Sequence, residues 1–272
     1  MSLHNPETAH VPSEVNYNLD SDSRASLTAD LLRNFPPQAE GQYACYALPG
    51  MGLYANLART IELEVFDETF QNDQSYMEEQ YGPYESASKF FLVVDCDASQ
   101  PVGALRVIQN SENGHKTLND IQQPPLELSL DSVLDHHAIT DLDKCWDVGT
   151  LAVLKKYRGR KTDQIPSTTL YRALYTGAVD EHIEHFVTVI DKEPYQALLL
   201  FGIPFVPMMD TDYFEYMGSP GSMAAYAHVT EFVGEMTAAK EKLDSEMLAL
   251  LSPYLARLML GEGVPHKQDI RS

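Results

Sequence analysis

The sequence predicts an α/β (α+β) fold in which a mixed, mostly antiparallel sheet is flanked by helices. Three observations carry that prediction. Apolar residues recur at helical spacing between Tyr54 and Phe70. Short runs rich in aromatic and β-branched residues, such as Lys89–Asp95 (KFFLVVD) and Phe186–Asp191 (FVTVID), lie between polar turns. A strand, a basic loop and a helix then follow one another over residues 146–183. With 272 residues, 44% of them hydrophobic, the chain is long enough to bury one large core. The expected organisation is an N-terminal arm (1–50), one main domain (51–231) and a C-terminal helical extension (232–272).

Taken in order, residues 1–50 are polar, carry Pro6, Pro12, Pro36 and Pro37, and show no sustained period. They read as an extended arm with at most a short helix near Leu27–Asn34. Gly50 and Gly52 punctuate the entry to the domain. Leu57, Ile61, Val65, Phe66 and Phe70 mark the first long helix, and a polar helix over Asp73–Tyr81 ends at Gly82-Pro83. Lys89–Asp95, a turn at Asp97–Pro101 and Val102–Gln109 form an antiparallel hairpin. Residues 110–144, with Pro124-Pro125 and the acidic run Asp131–Asp143, read as one long polar loop. Trp146–Leu154 is a strand, and Ser167–Ile183 is a helix capped by Ser167 or Thr168. Phe186–Asp191 is a strand and Pro194–Phe201 a short helix that Gly202 ends. Further strands are expected within Ile203–Tyr216 and Met223–Glu231. A helical tail over Phe232–Leu260 carries Met247, Leu250, Leu251, Leu255, Leu258 and Leu260.

Charge and composition narrow the function. The net charge is −21, which repels phosphates at long range and argues against a nucleic-acid surface. The longest apolar run, Ala197–Met209, is broken by Gly and Pro and is too short to span a bilayer. Met1–His10 lacks a basic-then-apolar pattern, so no signal peptide is expected. Cys45, Cys96 and Cys145 are widely spaced and odd in number, which fits a reducing cytoplasm and buried, inert thiols. Against this acidic background Lys155, Lys156, Arg158, Arg160 and Lys161 place five of nineteen cations within seven residues. That cluster reads either as a solvated loop or as an anion site, because backbone N–H groups at a helix start beside a strand end are ready to bind anions.

At this unit the sequence resembles a family. Val148-Gly-Thr-Leu-Ala-Val153 followed by Lys-Lys-Tyr-Arg-Gly-Arg160 is similar to motif A of the GNAT acyltransferases. There a strand passes into a loop of the form Arg-x-x-Gly-x-Gly/Ala. The resemblance implies that Leu151 and Val153 run along the pantetheine arm of an acyl donor. It also implies that Lys156, Arg158, Gly159, Arg160, Lys161 and Thr162 hold the donor's pyrophosphate. Lys161 and Asp163 stand where the family has its two glycines. A narrower likeness joins Arg59 through Phe66, Glu78-Glu79-Gln-Tyr81, Phe90–Asp95 and Gly103-Ala-Leu-Arg106 to acyl-homoserine-lactone synthases and long-chain N-acyl amino acid synthases. That branch implies acyl-CoA or an acyl carrier protein thioester as co-substrate and a small amino-acid-like amine as acceptor. Asp147 takes the place of the branch's strand glutamate, and Thr150 that of its following arginine.

The residues themselves leave choices open. N-acyl transfer needs an amine beside a thioester and a group to take its proton. Asp147 is either that base or a structural aspartate bound by backbone amides. Strict alternation places Asp147, Gly149, Leu151 and Val153 on one face of their strand. Arg106, inside an apolar strand, either pairs with an acid such as Asp147 or Glu79 or clamps a substrate carboxylate. Arg59 and Glu79 are further acceptor-side candidates. Tyr195 either protonates the leaving thiolate or packs as a buried aromatic. No Cys/His pattern marks a metal site, His182 and His185 being better read as helix-end charges. A GNAT-like module that binds a ligand or partner without turnover is the alternative to an acyltransferase.

Overall fold

The computed structural model describes residues 14–38, 41–158, 164–200, 202–242, 254, 256–262 and 264–270. Among them nine strands form one sheet. The strands are β1 (Tyr43–Pro49), β2 (Ser88–Asp95), β3 (Gln100–Ile108), β4 (Cys145–Val153), β5 (His185–Asp191), β6 (Val206–Pro207), β7 (Phe214–Tyr216), β8 (Ser219–His228) and β9 (Lys267–Asp269). Their order is β6-β8-β5-β4-β3-β2-β1-β9, with β7 also on β8. Pairing is antiparallel except for β4 with β5 and β1 with β9. The mixed, mostly antiparallel sheet flanked by helices is therefore as the sequence predicts.

The strongest sequence patterns gave elements close to their expected bounds. α2 (Ala55–Phe70) buries Leu57, Ile61 and Val65. α3 (Gln74–Tyr81) starts where the Asp73 carboxylate accepts from the Tyr76 N–H. The β2–β3 hairpin pairs antiparallel as expected, with a register shift between Val93 and Val94.

Four expectations need correction. In place of an extended arm, α1 covers Ser21–Asn34 with Asp20 as its N-cap, and Tyr43–Pro49 is β1, buried and in register with β2. The polar loop 110–144 contains α4 (Lys116–Asp120) and α5 (Leu130–His136). Leu118 of α4, Ile121 just after it and Val133 of α5 join Cys145, Val187 and Ala224 in a second hydrophobic cluster, so burial orders this segment. α6 runs Ile165–Asp180, starting two residues and ending three residues earlier than read. It begins after Gln164 in the left-handed region and has Pro166 in its first turn, with no side-chain cap from Ser167 or Thr168. Finally, the chain returns after the tail to place β9 beside β1, and Ile270 N donates to Ala47 O. Of the expected tail, α8 (Phe232–Lys242) and the helical residues 256–260 are seen. Met247, Leu250, Leu251 and Leu255 lie outside the described residues.

Helices cover both faces. Leu170 of α6 meets Gly103, and Gly177 of the same helix meets Phe91 and Trp146, which fixes α6 on the face carrying Gly103 and Trp146. Glu62 of α2 and Tyr81 of α3 meet Arg106 on the opposite face. α7 (Lys192–Leu200) follows β5 directly. No described helix is long and apolar enough to cross a membrane.

At the end of β1 the chain passes so close to the turn before β2 that Gly50 N donates to Ser88 O. A β-carbon on Gly50 would collide with the backbone carbonyls of Ser88 and Glu85, neither of which can rotate away. Gly50→Ala is expected to cost about 1–3 kcal/mol of stability by forced displacement of backbone, read as a lower midpoint of urea unfolding with unchanged slope.

Candidate functional site

The site is built by a failure of strand pairing. β4 and β5 are paired only over Cys145–Asp147 and His185–Val187. At the next position Thr188 Oγ1 donates to Val148 O at 2.8 Å, and beyond it the two parallel strands diverge. A cleft of about 1270 Å³, its open mouth included, fills the gap and is lined by Val148–Leu151 on one side and Thr188–Asp191 on the other. On the α6 face its walls are Tyr171, Leu174 and Tyr175, with Phe232 and Met236 of α8 and the later Leu258 and Met259. On the α2 face they are Phe66, Phe70, Tyr81, Tyr216 and Met217. The lining is mostly apolar, as in small-molecule sites, with few polar groups to fix orientation.

A β-bulge shapes the β4 wall. Arg106 lies opposite Thr150 and Val107 opposite Val148, so Gly149 is the extra residue. Its carbonyl accepts from the Tyr81 hydroxyl at 3.1 Å. The bulge resets the alternation: Asp147 lies opposite Ile108, whereas Leu151 and Val153 lie opposite Leu105 and Gly103. Asp147 is therefore not on the face of Leu151 and Val153, contrary to strict alternation.

Behind the α2 wall lies a buried ionic network. Arg106 donates from Nε and Nη2 to both Glu62 oxygens, at 3.1 and 2.7 Å, and from Nη1 to Glu85 at 3.0 Å. Arg59 donates to Glu85, to Asn56 Oδ1 and to Gly50 O. Thr150 of β4 donates to Glu62, and Tyr17 donates to Glu85. Both arginines have zero exposure, and Arg106 also sits 4.5 Å from the Tyr81 ring centre. Burial alone would push the Glu85 carboxyl up, but the charge of Arg106 and the bonds from Arg59 outweigh it and hold it below the ordinary 4.5. Burial, opposed by Arg106, also pushes the Tyr17 and Tyr81 hydroxyls well up, so both stay protonated donors.

The residues singled out in the sequence divide accordingly. Leu151 lines the cleft, and Val153, further along the same strand, is buried. Arg59 and Arg106 are brought together by Glu85 but do not line the cleft, and the acids facing Arg106 are Glu62 and Glu85 rather than Asp147 or Glu79. Glu79 is exposed on α3. Asp147 has zero exposure, and its oxygens accept from Thr117 N at 2.5 Å and Thr117 Oγ1 at 2.8 Å. Burial pushes its carboxyl up against the pull of those bonds. Tyr195 is buried and donates to Phe205 O at 3.3 Å, and its phenol too is pushed up by burial. Lys156 is exposed and donates to Gln100, and Arg158 Nε donates to Val153 O. Gly159, Arg160, Lys161 and Thr162, with Asp163, lie outside the described residues. Cys45 and Cys145 are buried, whereas Cys96 is half-exposed.

Sequence reasoning missed Glu62, Glu85, Tyr17, Tyr216 and Asp191. Glu62 sits three residues after Arg59 on the apolar face of α2, a position where a charge must have a partner. The other four carry no local mark, because their neighbours come from distant segments.

The mixed, mostly antiparallel nine-stranded sheet with its flanking helices has the fold of the GNAT acyltransferases. Solved structures are similar at low identity. FeeM, an N-acyl amino acid synthase from uncultured soil microbes, matches with a TM-score of 0.53 at 15% identity, over 76% of this chain and 98% of its own. The CoA-dependent acyl-homoserine lactone synthase BjaI, solved with SAM and isopentyl-CoA, matches at 0.49 and 13% identity over 85% of this chain and 94% of its own. No protein-family profile and no curated sequence matches the chain. At such identities the likeness is one of fold.

Because the folded Glu85 value is lowered, its contribution to stability is complete above about 4.5 and is lost as pH falls through the folded value. Glu85→Gln, which leaves two buried arginines short of a charge, is expected to cost about 3–5 kcal/mol at pH 7. The gap between wild type and variant should narrow steadily below pH 4.5, and denaturant midpoints at pH 7, 5 and 3 check it.

Proposed function

We propose that the protein is an N-acyltransferase. It moves an acyl group from a pantetheine thioester, on CoA or on acyl carrier protein, to the amine of a small, amino-acid-like acceptor. The observation that carries the reading is the cleft at the β4–β5 split. It is largely apolar, and it lies beside the strand that leads into the basic segment starting at Lys155. An extended thioester arm needs such a slot, and burying its acyl chain contributes about 0.8 kcal/mol per CH₂. The three unpaired cysteines fit action in the cytoplasm. Lys155, Lys156 and Arg158 are exposed, and they are the described part of the basic patch that an acidic carrier would meet.

A module that binds a thioester or another ligand without turnover is the second reading. The withdrawal of Asp147 from the cleft favours it, since Asp147 is the base the sequence pointed to. Mass spectrometry of reactions holding acyl-CoA or acyl carrier protein with pooled amino acids separates the two. An amide product establishes the transferase, whereas calorimetric binding without product under either donor establishes the module. Leu151→Trp, which fills the slot from β4, is expected to weaken donor binding by about tenfold or more, corresponding to a loss of roughly 1.4 kcal/mol. It should leave the unfolding midpoint near that of wild type, because the residue borders the cleft and is only half-buried.

A further inference from the structure

With Asp147 held by Thr117, the amine of an acceptor needs another anion. Among the described residues lining the cleft there is one carboxylate, Asp191, and one cation, Arg172. Arg172 Nη1 is spent on the carbonyls of Leu258 and Met259, at 2.8 and 3.1 Å. Asp191 stands differently. It is the last residue of β5, half-buried, and opposite Ser222 of β8, whose hydroxyl donates to its Oδ1 at 3.0 Å. Ser222 itself is 1% exposed, so that bond is shielded and fixes the carboxylate. No described cation lies within ion-pair distance of Asp191, and its second oxygen carries no hydrogen bond among the described residues. A positioned carboxylate with one oxygen free, in an apolar slot of low dielectric, attracts an ammonium strongly.

We infer that Asp191 is the group that receives the acceptor's ammonium and takes its proton. The chemistry of this step rests on the acyl-transfer reading. The free oxygen of Asp191 accepts one proton from R–NH₃⁺, which frees the nitrogen lone pair. That pair forms the N–C bond at the thioester carbonyl, and the carbonyl π pair moves to oxygen. As the tetrahedral species collapses, the C–S bond breaks and its electron pair leaves on sulfur. The second nitrogen proton goes to the thiolate, giving amide and thiol. The proton on Asp191 returns to solvent, and the carboxylate is restored. The role also accounts for the hydroxyl of Ser222, which orients the carboxylate without neutralising it.

Binding tests the inference without requiring turnover. n-Octylammonium and n-octanol share an apolar tail and differ in charge at one end, and both can be titrated calorimetrically into the full chain. Wild type is expected to bind the ammonium about tenfold more tightly than the alcohol, and Asp191→Asn to erase that preference while binding octanol as before. Equal preference in wild type and variant overturns the inference. A variant that has lost octanol binding as well overturns it in favour of a structural role for Asp191. In the amide assay Asp191→Asn should lower turnover by about 100-fold or more, with donor affinity within about twofold of wild type. A variant within threefold of wild-type turnover overturns the role. A wild type that discriminates the ammonium through Asp191 yet forms no amide refutes the acyltransferase reading and leaves the amine site standing.

Discussion

Two fully buried arginines set the constraint on which the cleft depends. Arg59 and Arg106 carry charges that water cannot reach, so every structure containing them must supply anions at fixed positions. Glu62 and Glu85 do so, and each comes from a different segment. Glu62 is on α2 and ties that helix to β3 through Arg106 and to β4 through Thr150. Glu85 lies in the turn before β2 and ties it to α2, to β3 and, through Tyr17, to the segment before α1. Breaking an arginine–glutamate link leaves a buried charge under-compensated, so the network holds these five segments together. Phe66 and Phe70, which wall the cleft, lie on the helix this network anchors.

The network holds one side of the gap, and the bulge and a single hydroxyl define where it opens. Up to Asp147 and Val187 the two strands are zipped by parallel pairing, and Trp146 stacks on Phe186 across them. The Thr188–Val148 bond replaces a ladder bond by a side-chain bond. One residue later Gly149 bulges out toward Tyr81, and its carbonyl turns to that hydroxyl instead of to β5. Divergence of the strands thus costs less than a bare broken ladder, because polar groups at the fork keep partners. The same bulge inverts the side-chain phase of β4. Leu151 thereby faces the slot with α6, and Thr150 is free to bond Glu62 behind the opposite wall.

This explains which parts of the molecule were legible in the sequence. α2, α3, the β2–β3 hairpin, β4 and β5 were readable because each declares itself within a window of ten to sixteen residues, through period, cap or composition. β1 did not, although its run Tyr43–Leu48 is apolar, because polar and proline-rich residues around it dominate the local average and its partners, β2 and β9, lie far along the chain. α4 and α5 span five and seven residues, too short for a periodic signal. The strand entering the basic loop was legible as β4 followed by the cations from Lys155 onward. The facing of Asp147 was not: it was placed by an alternation that one extra residue at Gly149 undoes. Asp191 was visible as the end of a strand, and nothing in its neighbours announced that this strand would have no partner on its β4 side there.

The distribution of charge sharpens the contrast between the two faces of the gap. In a chain with a net charge of −21, an apolar slot would ordinarily be surrounded by carboxylates that an anionic donor must pass. Here the acids nearest the α2 wall, Glu62 and Glu85, are neutralised in pairs, and Asp147 is turned away onto Thr117. Even the Asp120 carboxylate near Tyr216 is met by Lys116, at 2.5 Å. Removing these charges from the lining leaves the field inside the slot to the few groups that remain, so that Arg172 and Asp191 act over a longer range than they would on a charged surface. A lining made neutral by internal pairing leaves a single carboxylate, at the end of β5, as the negative charge among the described lining residues.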